Sequence, residues 1–172
     1  MNSSDFDAII VVSPEIESIP FASLRNPLKT YSSVDESAEK GVFVVPCDLP
    51  AKKIVFSGTG NLQNDWDDVT NFADAAKAGV KKALATGSKA PLLYVNSTKF
   101  PQAGIVTILG ALEALYVPIE VREEIPEKRV KASKLGVFGD DPKIDLANAL
   151  ETGRIISKDI GGSDPERMAA PK

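Results

Sequence analysis

The sequence contains no histidine, and that absence removes more chemistry than any motif in it supplies. Without imidazole there is no Ser-His-Asp or Cys-His triad, no His-based zinc site and no imidazole acid or base. Any chemistry must come from carboxylates, lysines or backbone amides. Cysteine is nearly absent too. Cys47 stands alone, so no internal disulfide can form, and its place after Val42-Phe43-Val44-Val45 predicts a buried structural thiol rather than a reactive one. Met1-Asn2-Ser3-Ser4-Asp5 has neither the basic start nor the apolar stretch of a secretory signal. The longest apolar segment, Ala103 to Ile119, is broken by Glu113 and Pro118 and falls short of a bilayer span. The expected location is therefore the cytoplasm, with no membrane partner. Outside a secretory route, the sequon Asn96-Ser97-Thr98 reads as a loop after a strand. Basic clusters are missing as well. The 20 basic residues are scattered among 24 acidic ones, for a net charge of -4, which argues against nucleic acid as a partner.

What is present is an ordinary globular composition. The 172 residues, 43% of them hydrophobic, suffice for one core of normal size, with or without a short linker. Phe6 to Val12 is a β-branched run closed by Ser13-Pro14 and predicts a strand buried on both faces. Residues 14–40, with Pro14, Pro20 and Pro27, give no clear element. Gly41 to Pro46 and Lys52 to Phe56 predict two strands joined in a hairpin by Cys47-Asp48-Leu49-Pro50.

Asp65 to Leu84 is the clearest helix, with Val69, Phe72, Ala73, Ala76, Val80, Ala83 and Leu84 on one face. Asp65, Asp67 and Asp68 are expected in its first turn, Lys81 and Lys82 in its last, and Gly87 as its stop. Leu92 to Val95 reads as a short buried strand. The segment from Gln102 to Tyr116 predicts a helix with Ile105, Ile108, Leu109, Leu112, Leu115 and Tyr116 on one side. Ala103, Val106, Gly110, Ala111 and Ala114 make its other side apolar too, so it belongs between layers or in an interface. Glu120 to Lys134 is mixed in charge and expected on the surface. Leu135 to Phe138 reads as the last strand. Asp141 is the expected N-cap, with Pro142 at the first position, of a third helix reaching about Asp159 and closed by Gly161-Gly162. Strands alternating with helices predict an α/β fold, a mixed sheet flanked by helices. Residues 1–140 form the expected domain, 141–160 a linker helix, and 161–172 the start of a further unit.

Three stretches carry residues of chemical interest. Ser57-Gly58-Thr59-Gly60 follows a strand and precedes a helix, where phosphate loops sit, which makes Gly58, Thr59 and Gly60 the candidate ligand-binding residues. The dinucleotide fingerprint fails at Gln63 and no Lys-Ser/Thr pair follows, so a steric role for the glycines is the competing reading. Asp65-Trp66-Asp67-Asp68 matches no calcium loop; capping explains its aspartates, with Trp66 stapling the helix entry to the core. Glu123, Glu124 and Glu127 beside Lys128, Arg129 and Lys131 read as a solvated charged segment. Glu151-Thr152-Gly153-Arg154 reads as helix surface without partners. No catalytic or metal-binding residue is predicted within the chain.

The segment from Gly153 to Ile160, continued by Gly161 to Pro171, resembles the junction that opens the catalytic domain in the leucine aminopeptidase family. Upstream features follow in the family's order. Ile54-Val55-Phe56-Ser57-Gly58-Thr59-Gly60 resembles its apolar strand ending in Gly-x-Gly, and the stretch with Trp66 and Ala73 to Val80 resembles its Trp-starting, Ala-rich helix. Gln102 to Tyr116 resembles the helix ending in Leu-Tyr. The likeness covers most of residues 50–172. Gly161-Gly162-Ser163-Asp164-Pro165 replaces the commoner Asn-x-Pro-x-Asn, which suggests a divergent, "probable aminopeptidase" branch. The resemblance implies a macro-domain-like N-terminal domain of a hexameric metalloaminopeptidase. It implies that zinc, manganese or magnesium and their Lys, Asp and Glu ligands belong to a separate C-terminal catalytic domain, this chain's expected partner. Two other readings are a nucleotide or ADP-ribose-binding module centred on Gly58 to Gly60, and a stand-alone oligomerisation domain using helix 102–116.

Overall fold

The computed structural model describes residues 5–60, 62–95, 100–139 and 143–168. Its frame is strand β1 (Ala8–Ser13), every residue of which is buried. Ala8, Ile10 and Val12 face one apolar cluster, while Ile9 and Val11 face another. Two-sided burial of this kind requires cover on both faces of the sheet. β1 pairs in parallel with β3 (Lys53–Gly58) on one side and β4 (Pro91–Val95) on the other. β2 (Val42–Pro46) lies antiparallel to β3, and β5 (Gly136–Gly139) parallel to β4. The order is β2-β3-β1-β4-β5, the expected mixed sheet with its hairpin.

Residues 14–40 gain an element that the sequence pattern hides. α1 (Ala22–Ser32) contains Pro27 and buries only Leu24 and Leu28, too sparse a stripe to stand out. A 3-10 turn at Ala38–Lys40 follows it. Together they cover the Ile9/Val11 face. α2 (Thr70–Ala85) covers the other face, through Phe72, Ala76 and Val80. It ends where Gly87, at φ 83°, lets Ser88 N–H donate to Ala83 carbonyl and Gly87 N–H to Leu84 carbonyl. The turn is then clamped to the sheet by Asp7. Its carboxylate accepts from the Ser88 hydroxyl and from the amides of Lys89 (2.6 Å) and Ala90 (3.1 Å).

α3 (Ala103–Leu115) lies between α2 and α5 (Ile144–Gly162), so the sandwiched position expected of it holds. Its buried side is mostly the small one: Ala103, Thr107, Gly110, Ala111 and Ala114, with Ile108. Small residues let two helix backbones approach; a Cβ on Gly110 would stand 2.2 Å from the Ala73 carbonyl oxygen of α2. The small-residue side of α3 is thus used within the chain, while Ile105, Leu109 and Leu112 are half-buried. Lys131, in the charged segment, caps α3 by donating to the Ala114 and Tyr116 carbonyls at 2.8 and 2.7 Å. α4 (Ile119–Glu124) and the short α6 (Pro165–Met168) lie outside this core.

Several expectations are corrected. α2 begins at Thr70, so Asp65, Asp67 and Asp68 precede the helix instead of occupying its first turn. Trp66 is 80% exposed and staples nothing. Cys47 is half-buried, because it sits past the end of β2 in the hairpin turn; burial still pushes its thiol pKa up. Gly161 and Gly162 form the last turn of α5 instead of closing it. Asn96-Ser97-Thr98, Asp141 and Pro142 lie outside the described residues; α5 is entered through Lys143 in a left-handed conformation (φ 44°). Among the described residues no helix is long and apolar enough to cross a membrane.

Candidate functional site

In α/β sheets, ligands gather at the carboxyl ends of parallel strands. Gly58, Thr59 and Gly60 are placed there together, with Ser13 of β1 paired beside Gly58. Three of their donors are already occupied. Gly58 N–H donates to Gly41 carbonyl (3.1 Å), Thr59 N–H to Ser13 carbonyl (3.3 Å), and the Thr59 hydroxyl to Gly60 carbonyl (3.1 Å). Ser57 is buried and its hydroxyl donates to Ala75 carbonyl of α2 (2.7 Å). A phosphate cradle instead needs outward amides leading straight into a helix N-terminus, and α2 starts only at Thr70.

Steric need explains the glycines. A Cβ on Gly58 would lie 1.8 Å from the Glu39 carbonyl oxygen, and Gly60 sits at φ 79°. Gly58→Ala should therefore displace the 3-10 turn at Ala38–Lys40 and cost about 1–3 kcal/mol, read from urea denaturation. Unchanged stability would show that this close approach is dispensable and would reopen the loop to ligand binding.

The acidic run closes on itself. Asp67 accepts from Asn64 N–H (2.9 Å), and Asp68 accepts from Thr70 N–H (2.7 Å). Among the described residues no group of three or more Cys, Asp or Glu is arranged to hold a metal.

The charge that matters structurally lies elsewhere. Glu151, expected on the surface, is 5% exposed on the inner face of α5. Arg154 Nη1 stands 2.9 Å from Glu151 Oε2, while Arg154 Nη2 donates to Glu113 Oε2 of α3 at 2.8 Å. Lys77 of α2 donates to the other Glu113 oxygen at 2.5 Å. One chain of alternating charges thus ties α2, α3 and α5. The hydrogen bond from Lys77, helped by Arg154, holds the Glu113 carboxyl pKa below its usual value. Burial instead pushes Glu151 up, against the nearby Arg154. Further along α5, Asp159 accepts from Arg122 Nη2 of α4 (2.5 Å) and from Tyr116 hydroxyl (2.9 Å), and is held low by them. Periodicity finds apolar faces and says nothing of ion pairs between residues 36 or 41 positions apart. The i, i+3 spacing of Glu151 and Arg154 was the one visible signal.

Between α3, α4 and α5 lies a cavity of about 200 Å³. Leu112, Leu115 and Ile155 supply apolar wall; Arg122, Arg129 and Glu151 supply charge. Next to it, both carboxylate oxygens of Glu151 and the Nε of Arg122 are shut off from solvent, and among the described residues they have no hydrogen-bond partner. The Glu151–Arg154 contact is an ion pair by distance, not a hydrogen bond. Orphaned buried polar atoms each cost roughly 1–3 kcal/mol and call for an explanation.

No family model matches the sequence. The chain is 33% identical, over 97% of its length, to a Caenorhabditis elegans protein named "Putative aminopeptidase", and spans only 35% of that protein. Two solved structures share the fold. Bottromycin maturation enzyme BotP superposes with a TM-score of 0.65 at 13% identity, over 91% of this chain and 33% of its own. A tomato leucine aminopeptidase gives 0.65 at 16% identity, over 96% of this chain and 37% of its own.

Proposed function

We propose that the chain belongs with the N-terminal α/β domains of the leucine aminopeptidase family and is the non-catalytic part of a two-metal exopeptidase that releases N-terminal amino acids from peptides. The carrying observation is the match itself. About a third of an aminopeptidase-named relative accounts for nearly the whole chain, and the rest of that relative has no counterpart in these 172 residues. On this reading residues 1–140 are the domain, α5 is the linker and residues 161–172 open the catalytic domain. That domain would hold the zinc, manganese or magnesium that activates water and polarises the scissile carbonyl. The whole enzyme would work as a cytoplasmic hexamer, with this part serving assembly and access to the active site.

The outer face of α5 supports a mate on that side. Leu146, Leu150, Ile156 and Ile160 are 51, 45, 55 and 56% exposed, on the side away from Ala147 and Glu151. A row of large apolar groups open to water marks an interaction surface.

The test is direct. The pure chain should hydrolyse no leucine anilide with manganese or zinc present. Metal-dependent turnover by this chain would overturn the proposal.

A further inference from the structure

We infer that the open hollow between the end of α2, the exit of α3 and α4 binds a small aliphatic carboxylate. Its volume is about 430 Å³, inside the roughly 300–1,000 Å³ range of small-molecule sites. Leu84 of α2, Val117 and Pro118 after α3, Val121 of α4 and Val130 form its walls. Lys89, Lys128 and Lys131 stand among them, and Glu127 is the one acid in the lining among the described residues. Three lysines against one acid reverse the balance of the chain, which has 20 basic residues to 24 acidic. None of the three ammoniums forms an ion pair with a described residue. All three residues are exposed, so an incoming anion reaches them.

Lys131 is the fixed member. Its Nζ donates to the Ala114 and Tyr116 carbonyls, and an ammonium carries three donors, so one remains for a ligand. The same ammonium covers the partial negative charge of the α3 terminus, which otherwise repels an anion. Burial and the neighbouring Lys81 both press Lys131 below its ordinary pKa, and no carboxylate of the described residues counters them. A bound anion supplies that missing charge. The walls select the rest of the ligand. They are aliphatic, with no aromatic ring to stack a base and no side-chain hydroxyl or amide to read a sugar. Val130, 69% exposed, gains cover from an alkyl chain laid against it. A carboxylate on a short alkyl chain meets both halves of the lining.

Octanoate, held well below its micelle concentration, is the probe, titrated into the whole chain and followed by calorimetry and by amide NMR shifts. Saturable binding is expected, with shifts centred on Leu84, Val117, Val121 and Val130, and it should weaken as salt rises. Octanol lacks the charge, octylamine reverses it and inorganic phosphate lacks the chain; each should bind at least about tenfold more weakly. Lys89→Gln combined with Lys128→Gln should weaken octanoate about two- to thirtyfold, the range for losing two exposed charge pairs. Val130→Asp, which sets an acid on the wall, should act in the same direction. These three residues are exposed, so their replacement leaves the fold in place. No saturable binding, shifts centred elsewhere, equal affinity for any of the three other probes, or affinity unchanged in both variants would overturn the assignment.

Discussion

Replacing Gly110 by leucine is expected to destabilise the chain by about 3–5 kcal/mol, at or beyond the upper end of overpacking costs. The reason is the identity of the clashing atoms. A Cβ at Gly110 would stand 2.2 Å from the carbonyl oxygen of Ala73, 2.5 Å from its Cα and 2.7 Å from its carbonyl carbon. All three belong to the backbone of α2, which cannot swing aside as a side chain can. Relief requires α2 and α3 to separate, and α2 also carries Phe72, Ala76 and Val80 against the sheet. Domains are commonly stable by only about 5–15 kcal/mol, so the loss should appear as a much lower urea midpoint. Gly153 is the control. It lies within α5 with nothing inside 4 Å of its would-be Cβ, so Gly153→Ala should be neutral or stabilising by up to about 1 kcal/mol. A Gly110→Leu midpoint close to wild type would mean that the two helices do not meet backbone to backbone.

The second large effect is expected from Arg154→Met. This removes the ion-pair partner of Glu151 and one hydrogen bond to Glu113. Breaking a fully buried ion pair from one side costs about 3–5 kcal/mol. The Arg154 side chain is 34% exposed, so water screens part of the loss, and about 2–3 kcal/mol is the better figure. The pH dependence has a definite sign. Burial raises the folded-state pKa of Glu151, so its favourable contribution is complete below about pH 4.3 and disappears as pH rises through the folded value. Without Arg154 that value climbs further. Glu113 adds to the trend, since its lowered pKa favours the fold above the ordinary carboxylate range, and that gain shrinks when a partner is lost. The deficit should therefore be small near pH 4 and largest at neutral pH. Arg154→Met with Glu151→Met should recover most of it, because the orphaned charge goes too. A single variant within 0.5 kcal/mol of wild type at neutral pH, on the order of an ordinary surface change, would show that α5 is not seated through this cluster.

Much of the fold was legible because its signals are local. The unbroken β-branched run of β1 announces two-sided burial, and the Val69-to-Leu84 pattern announces α2. α1 was not legible, since two buried leucines around an internal proline make too weak a stripe. Trp66 was misread for a different reason: an aromatic residue near a helix entry resembles a staple, but the helix starts four residues later. The charge clusters on Glu113 and Asp159 depend on which helix lies beside which, and no window on the chain contains that. The glycine loop was legible only as two competing readings. Its position drew attention to phosphate, yet Gly58 is needed because Glu39, 19 positions earlier in the chain, runs over it.

The central place of β1 has a consequence for how the chain is made. Ala8-Ile9-Ile10-Val11-Val12 emerges from the ribosome well before either strand that will flank it, and β4 is about 80 residues behind. Five uncharged residues of high β-propensity, with no proline among them, are the kind of segment that self-associates when left unpaired. Long-range parallel pairing is also intrinsically slow. Renaturation from denaturant should therefore yield less native material as protein concentration rises, with this strand as the point at which chains stick to one another.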